Sequence, residues 1–521
     1  MGQLFPWFVT GFDIILPEGA NLYKIAFFTS TASGGDIRSS TGGGASRVEL
    51  STAWLEWLVL GAGHELMLFA SVGILLFGLD DLLFDALWLA TRRRGPSLIP
   101  NAPPVEGRFA IFVPAWDEAN ALPAMLQRTL AAWEGEDFRL YVGCYANDAA
   151  TLFAVSPLIA RDGRLRLVIG NREGPTTKGD NLNRLWAALG EDERAEGVLF
   201  SAIVLHDAED HVHPGELALY RRYLGENAMV QIPVVPLIKR EERWVGGHYA
   251  DEFAEAHGKE LVVRSRLGLP LPSAGVGCAL TRTALALLAI ERGGEPFRCD
   301  SLTEDYEIGM VIGAYGLETR FVDTIGPAGD RVVSRGAFPG RAEKAVRQKS
   351  RWIAGIALAG WDHLGWPGSR RDDGGLRAAR AWLARWMLWR DRRAPLAALI
   401  LLAAYAGALL TALGWAGHWL FGWNAIVVGD GARLLLALNA VMLCWRMAMR
   451  GHFTSRWYGL GEATCSLPRA FVSNVIAILA ARRAVMLYWR MVRSGEVVWD
   501  KTEHLDTGAT HDDGFVRVAA R

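Results

Sequence analysis

Long apolar stretches flank a central region in which short apolar and polar segments alternate. The clearest apolar stretch, residues 395–421, contains no Asp, Glu, Lys or Arg and exceeds the roughly 20 residues that a bilayer core requires. A weaker stretch within residues 54–94 includes His64 and Glu65, and another follows the first within residues 391–450. The pattern predicts one membrane helix with its juxtamembrane segment at 54–94 and two membrane helices at 391–450.

The C-terminal part of the chain holds a further apolar stretch, LPRAFVSNVIAILAARRAVMLYWRMV, which Arg482 and Arg483 interrupt. Because of these charges, we interpret it as an amphipathic helix that lies in the membrane surface, with another full span as the less favoured alternative. It belongs to a segment, 451–506, that also contains the sequence WDKTEH, and residues 507–521 follow as a tail.

The N-terminal residues 1–53 are predicted to be an extension with a linker. They lack the charged start and continuous apolar core of a cleavable signal, so we expect none. Their Ser-, Gly- and Thr-rich part, TSTASGGDIRSSTGGGAS, is typical of a flexible linker.

Arginines mark the expected orientation of the membrane segments. They occupy positions 92–94 after the first segment and positions 390, 392 and 393 before the next. Since positive residues flank the cytoplasmic ends of membrane spans, we expect residues 95–390 to be cytoplasmic and the N-terminus to lie outside.

The central region, 95–390, alternates strand-length apolar runs with segments of helical period. RFAIFVPAW, FRLYVGCYA, LRLVIG and GVLFSAIVLH predict strands, and ALPAMLQRTLAAW predicts a helix. This alternation favours an α/β domain with a mostly parallel sheet covered by helices on both faces. Ligands of such sheets bind at the carboxyl ends of the strands, where three polar clusters fall. The clusters are Asp117-Glu118, Asn147-Asp148 and the stretch from Asp207 to Asp210.

Composition narrows the possible classes of function. Hydrophobic residues make up 51% of the 521 residues and 21% are charged, which suits a soluble domain joined to membrane helices. The net charge of −1 argues against nucleic-acid binding. The 5 cysteines form no CxxC pair, which argues against a disulfide framework and fits a reducing compartment.

Two glycine motifs fail as phosphate-binding signatures. GPTTKGDN places Gly174 and Gly179 at P-loop spacing, but Asp180 and Asn181 follow where Lys and Ser or Thr are needed. SAGVGCAL lacks the third glycine of a dinucleotide fingerprint.

Asp207 and Glu209 form a candidate metal site in the stretch LHDAEDHVHP. Their spacing lets both carboxylates meet one hard divalent cation such as Mg²⁺ or Mn²⁺. A solvated strand end is the simpler interpretation, and this motif alone slightly favours it. The neighbouring His206, His211 and His213 also suggest zinc, but solvated or supporting histidines are the favoured interpretation.

Two further motifs favour a ligand-binding site over a solvated strand end. SLTEDYEIGM offers Glu304 and Asp305, and VRQKSRWIAG offers Gln348, Arg351 and Trp352. On a helix, positions i, i+3 and i+4 share one face, so the last three side chains project together. An amide, a guanidinium and an indole on one face suit a phosphate and a sugar ring, whereas an ordinary amphipathic helix explains each residue only singly.

The order VPAWDE, ND, KGDNLN, HDAED, TED and QKSRW resembles the processive membrane glycosyltransferases of family 2, which include cellulose and hyaluronan synthases. HDAEDHVHP, SRWIAG and VVWDKTEH are most similar to the bacterial phage-adsorption protein B branch, and the resemblance covers roughly residues 55–506. It implies a GT-A catalytic domain inserted between transmembrane helices. Longer members of the branch carry a C-terminal cyclic-di-GMP-binding domain, for which we expect no room after WDKTEH.

The resemblance also implies roles for the donor side of the site. Glu118 and Asp148 would hold the base and ribose of a nucleotide-diphosphate sugar, with UDP expected, and Lys178 would lie near the uridine or diphosphate. Asp207 would contact the nucleotide sugar and, with Glu209, would bind Mg²⁺ or Mn²⁺. Glu209 replaces the usual Asp of the family motif, which leaves the donor sugar open.

On the acceptor side, the resemblance implies that Asp305 is the general base, with Glu304 as the next candidate. Gln348, Arg351 and Trp352 would bind the acceptor terminus and the diphosphate, and SAGVGCAL would lie beside the acceptor sugar. The implied reaction is inverting transfer to a growing polysaccharide at the bacterial inner membrane, with an outer-membrane export partner. The alternatives are non-processive transfer to a lipid carrier and a non-catalytic phage receptor or scaffold.

Overall fold

The computed structural model describes residues 46–92, 100–366 and 375–495, with side chains from residue 53 in the first range and from residue 380 in the last. The described residues from Leu55 onward belong to one compact unit, and those of the preceding unit are the first turns of a helix that begins at Ser46. The predicted linker, WDKTEH and the tail lie outside the described residues.

The described helices, in chain order, are α1 (Ser46–Arg92), α2 (Leu122–Ala132), α3 (Ala149–Ile159), α4 (Lys178–Glu196), α5 (Glu216–Leu224), α6 (Gly246–Glu255), α7 (Leu261–Arg266), α8 (Arg282–Glu291), α9 (Glu304–Ala314), α10 (Ala342–Trp352), α11 (Gly360–Leu364), α12 (Gly375–Arg392), α13 (Ala394–Phe421) and α14 (Asp430–Ser494). Short π-helical segments at Ala256–Glu260 and Ile353–Ala359 join α6 to α7 and α10 to α11. A 3₁₀ turn covers Arg240–Glu242.

The described strands are β1 (Phe109–Pro114), β2 (Phe138–Tyr145), β3 (Leu165–Gly170), β4 (Ala202–Leu205), β5 (Met229–Gln231), β6 (Val234–Leu237), β7 (Cys278–Thr281), β8 (Thr319–Phe321) and β9 (Ser334–Ala337). Seven of them form a sheet in the order β3-β2-β1-β4-β7-β5-β8. β7 runs antiparallel to β4 and β5, and the other pairs are parallel. The prediction of an α/β fold with a mostly parallel sheet is confirmed; β6 and β9 form a second, parallel pair.

The sequence of β1 shows why this sheet needs helices on both faces. Phe109 and Ile111 pack into a core shared with α2 and α5, whereas Ala110 and Phe112 pack into a second core shared with α4 and α8. Because successive side chains of a strand point to opposite faces, a strand buried on both faces is apolar throughout. The strand ends then place the polar clusters at one edge of the sheet.

The predicted strand GVLFSAIVLH is shorter in the structure than its apolar run. β4 begins only at Ala202, and the side chains of Val198 and Leu199 are 52% and 71% exposed. These two residues lie in the connection after α4, where β1 offers no ladder partner before Ala202. Apolar character alone therefore set the predicted start too early.

Three helices among the described residues are long and apolar enough to cross a membrane: Ala53–Arg92, Ala394–Phe421 and Asp430–Ser494. They overlap the three predicted membrane segments, but the third continues past residue 450 through the residues predicted to form a separate amphipathic helix. Ion pairs join the first of these helices to the start of the second, since Arg393 lies 2.6 Å from both Asp80 and Asp81, and Arg390 pairs with the same two carboxylates. Two of the arginines that predicted the orientation thus also bind α1 to the α12–α13 junction.

The last helix, α14, bends at Gly459, whose φ of 77° breaks the helical backbone. After the bend it packs against the α/β domain, with Ile476 in contact with Tyr249 and Ala345. Ser473 donates to Glu252 at 2.7 Å, and the same carboxylate accepts from Lys349 of α10 at 2.6 Å. That this half of α14 lies in the membrane surface remains a prediction.

Candidate active site

A cleft opens at the carboxyl ends of β1 and β4. The loops after these strands, the N-termini of α4 and α9, and the end of α10 line it. Of the predicted site residues, the structure brings nine together around this cleft: Glu118, Lys178, Asp207, Glu209, Glu304, Asp305, Gln348, Arg351 and Trp352. Segments that are far apart in the chain therefore meet in one place.

The loop after β4 carries the acidic motif. Asp207 is partly exposed to the cleft, and its Oδ1 lies 2.6 Å from Nζ of Lys178, the first residue of α4. Burial works to lower the pKa of Lys178, but Asp207, Glu304 and Asp305 together raise it above its usual value. Lys178 therefore stays charged and lies between the acidic loop and α9.

A buried chain of polar groups supports this loop from beneath. Asp210 Oδ2 accepts from the backbone N–H of Asp207 at 3.0 Å and lies 2.9 Å from Nδ1 of His206. The other ring nitrogen of His206 lies 3.0 Å from Glu216, which also accepts from the Tyr220 hydroxyl at 2.8 Å. Burial opposes protonation of His206, but Glu216 and Asp210 outweigh it and raise its pKa to about 10. The histidine is thus a fixed supporting cation.

The other two histidines of the stretch also have structural roles. His213 Nε2 lies 3.1 Å from Asp330, and the backbone of His211 pairs with that of Arg335. Over the described residues, no group of three or more His, Cys, Asp or Glu could hold a metal ion. His213 and His211 thus hold segments of the protein together, which is the supporting role that the sequence favoured.

Glu304 and Asp305 form the first turn of α9, with Thr303 at the N-cap. Glu304 is buried, whereas Asp305 is partly exposed to the cleft and accepts from the N–H of Tyr306 at 2.7 Å. Burial and the charge of Asp305 raise the pKa of Glu304 to about 7. Burial also raises the pKa of Asp305, although Lys178 opposes that shift. Asp305 is the carboxylate better placed to meet a substrate hydroxyl.

The close approach of Asp305 to SAGVGCAL depends on glycine. Gly275 has a φ of 76°, and a Cβ at this position would lie 3.1 Å from both Cβ and Cγ of Asp305 and nearer still to Oδ2. Ala274 and Val276, on either side, line the cleft. The segment therefore lies directly beside the candidate base.

The end of α10 presents the predicted Gln, Arg and Trp to the cleft. The Oε1 atom of Gln348 is buried and has no hydrogen-bond partner within the described part of the chain, so it is available to a ligand. Arg351 is close enough to Glu304 and Asp305 to favour their ionised forms. Trp352 packs in an aromatic cluster, with ring centroids 5.9 Å from Tyr249 and 6.2 Å from Phe253.

Of the two residues predicted to hold the nucleotide base and the ribose, only one lines the cleft. Glu118 lines the cleft, and its N–H donates to the Thr151 hydroxyl at 2.9 Å. Asp148 does not line the cleft; it caps α3 by accepting from the N–H of Thr151 and accepts from the N–H of Asp117 at 2.6 Å. Asp148 thus holds the loop that carries Glu118, and its contact with a nucleotide remains a prediction.

The donor set fits a divalent ion that a substrate helps to bind. Asp207 and Glu209 bring two carboxylates to the cleft, and Lys178 adds a positive charge. Mg²⁺ in phosphate-handling sites is typically held by one or two carboxylates, with phosphate oxygens and water in the other positions. The pair matches that arrangement and differs from a closed, all-protein metal site.

Several cleft residues were not predicted from sequence. Trp116 lies within the motif VPAWDE and packs edge-on against Tyr145 at 5.2 Å, and Phe253 and Phe338 line the cleft near Trp352. Trp116 had a local signal, because it stands between a predicted strand and an acidic pair. Phe253 and Phe338 had none, since only the fold brings them against Trp352.

Residues 202–492 match the family described as glycosyl transferase family group 2. The chain belongs to this family. It is also 31% identical over 471 residues to bacteriophage adsorption protein B of Escherichia coli strain K12 and to bacteriophage N4 adsorption protein B of Escherichia coli O157:H7. The match covers 84% of this chain and 62% of each relative, so the chain spans about three fifths of their length.

The fold agrees with this assignment. The mannosyltransferase PcManGT of Pyrobaculum calidifontis, solved in complex with GDP-Man and Mn²⁺, is 18% identical and superposes with a TM-score of 0.51. The match covers 81% of this chain and 99% of that chain. The predicted GT-A glycosyltransferase fold and the resemblance to family 2 are therefore confirmed.

Proposed function

We propose that this protein is a membrane-bound, metal-dependent inverting glycosyltransferase. It moves a sugar from a nucleotide-diphosphate sugar, with UDP as the expected carrier, to a hydroxyl of a growing polysaccharide. The observation that carries the proposal is the convergence of three motifs on one cleft. The acidic pair after β4, Asp305 on α9 and Arg351 on α10 all line it.

The proton transfer is assigned to Asp305. It is partly exposed to the cleft, lies beside SAGVGCAL, and is held by the N–H of Tyr306. As the acceptor oxygen attacks the anomeric carbon, Asp305 takes the hydroxyl proton while the bond to the diphosphate breaks on the opposite side. A carboxylate within hydrogen-bond reach of the attacking hydroxyl can act in this way.

Charge on the departing diphosphate is met by Lys178 and Arg351. Both side chains reach the cleft, and both act electrostatically on Glu304 and Asp305. Preorganised cations stabilise charge where it develops, without reorganisation during the reaction. A bound Mg²⁺ or Mn²⁺, held by Asp207 and Glu209, would supply Lewis-acid neutralisation of the same diphosphate.

The proposed setting is the bacterial inner membrane, with the catalytic domain cytoplasmic. Three apolar helices attach to this domain, and α10 is held between α6 and the last part of α14. An acceptor that grows at the membrane would stay beside the cleft between additions, which favours polymer synthesis and an outer-membrane export partner. The domain boundaries at 95–390, 391–450 and 451–506 belong to this proposal.

The test is transfer from labelled donors. Purified protein in detergent or lipid vesicles is incubated with labelled UDP-sugars and GDP-mannose, with Mg²⁺, Mn²⁺ or EDTA, and the products are sized. Long polymer supports the proposal, and single additions to a lipid support the lipid-carrier alternative. Release of no product from any donor would leave the receptor or scaffold alternative.

Two variants make the result specific to the cleft. Asp305→Asn should abolish most of the transfer. Asp300→Asn is the matched control, because Asp300 is an exposed acid on the same approach to α9, with a side chain 59% exposed. Equal loss in both variants would contradict the assignment of the base.

A further inference from the structure

Tyr306, the residue after the candidate base, is fixed at both ends. Its backbone N–H donates to Oδ1 of Asp305 at 2.7 Å. Its hydroxyl donates to Oδ2 of Asp391 at 2.7 Å, although 85 residues separate the two in sequence. Burial raises the pKa of Tyr306 well above its usual value, so the phenol remains a donor at every physiological pH.

Asp391 belongs to α12, immediately before the membrane helix α13. Its other oxygen accepts from the guanidinium of Arg264, which is buried on α7. Leu388, one turn earlier on α12, packs against Tyr306 and Met310 of α9. A buried charge held by a paired charge is costly to move, so Asp391 is a rigid anchor.

We propose that Tyr306 and Asp391 are positioning residues, through which the membrane-proximal helix α12 sets the location of Asp305 in the cleft. The inference rests on the proposed function, because it assigns these two residues to the same reaction. Neither residue lines the cleft. They act on the substrate only through Asp305.

The expected effect follows from what else holds α9. Glu307, the next residue of α9, accepts a hydrogen bond from Ser301 at 2.6 Å and lies 2.7 Å from His363. The helix therefore keeps a second anchor when the Tyr306 bond is lost. A misplacement of 1 Å at a reacting group can cost about 100-fold in rate. With one of two anchors removed, a smaller shift and a loss of about 10-fold in kcat are expected.

The decisive variant is Tyr306→Phe, which removes one oxygen and keeps the aromatic packing. The donor used is the one from the labelled panel that supports turnover by the wild-type protein. Tyr306→Phe should lower kcat about 10-fold while KM for the donor and binding of its nucleoside diphosphate stay within about two-fold. The rates are normalised to the concentration of nucleotide-binding sites, so a loss of folded protein does not count.

The matched control is Tyr488→Phe, because Tyr488 also donates to an aspartate, Asp362, at 2.6 Å, but at an exposed site on α14. Its kcat should equal that of the wild-type protein. Asp391→Asn should lower kcat at least as much as Tyr306→Phe, because it weakens the same bond and also the ion pair with Arg264.

Two results would overturn the inference: wild-type kcat in Tyr306→Phe, or equal losses in Tyr306→Phe and Tyr488→Phe. Failure of the wild-type protein to turn over any donor is a different result. It would count against the proposed function itself.

Discussion

Gly275→Ala should lower the rate of transfer by displacing Asp305, the candidate base, and this loss can be told apart from the loss of fold stability. The new Cβ would lie 3.1 Å from two carbons of Asp305 and nearer still to Oδ2, whereas ordinary contact begins at 3.4 Å. To restore ordinary contact with Oδ2, the atom nearest to the new Cβ, the carboxylate or the loop must move by about 1 Å, which can cost about 100-fold in rate. The φ of 76° adds a backbone cost of roughly 1–2 kcal/mol for a residue with a Cβ.

The control for this prediction is Gly293→Ala. Gly293 has a φ of 75°, and a Cβ added there would meet nothing within 4 Å, so this variant bears the same backbone cost without a clash. Thermal unfolding should shift down similarly in both variants, while transfer should fall about 100-fold only in Gly275→Ala. Equal activity in the two variants, measured with the same donor, would refute the placement of Asp305 beside SAGVGCAL.

Four further predictions concern the site and its orientation. Asp207→Asn should weaken the dependence on Mg²⁺ or Mn²⁺ and nearly abolish transfer, so unchanged metal titration with normal turnover would refute the metal assignment. Asp305→Asn should keep UDP binding in titrations while turnover falls by about two to four orders of magnitude; loss explained wholly by nucleotide affinity would point to Glu304 instead. Because burial raises the pKa of both carboxylates, turnover should rise with pH through a limb above the usual carboxylate range, and a limb near pH 4 would contradict this. Cysteines placed in the TED segment or in WDKTEH should resist labelling from outside the cell, whereas labelling of WDKTEH alone would mean that the spans are miscounted.

The sequence predicted the longer buried strands and the polar clusters that follow strands, because these depend on the pattern of neighbouring residues. β1, β2 and β3 fall within RFAIFVPAW, FRLYVGCYA and LRLVIG, because a strand buried on both faces leaves a continuous apolar run. The three polar clusters stand where these apolar runs end, which marked them as lying just after strands. β5, β6, β7, β8 and β9 were not predicted, since strands of three or four residues are too short to show a period.

Contacts between distant segments account for what the sequence did not reveal. Tyr306 and Asp391 are 85 residues apart, and no spacing rule links them. Asp148, to which the family resemblance gives a nucleotide-binding role, also caps α3 and holds the N–H of Asp117, which the sequence did not reveal. Helix-capping residues and ligand-binding residues are often of the same types, so a position after a strand does not distinguish the two roles.

The neighbouring carboxylates Glu304 and Asp305 can take different roles because their surroundings differ. Two carboxylates in one partly buried site resist ionising together, so one of them holds its proton to higher pH. Glu304 is buried and its pKa rises to about 7, whereas Asp305 faces the cleft and has the N–H of Tyr306 and the charge of Lys178 to support its ionised form. These contacts favour the ionised form of Asp305 beside the cleft, which is the form that a general base requires.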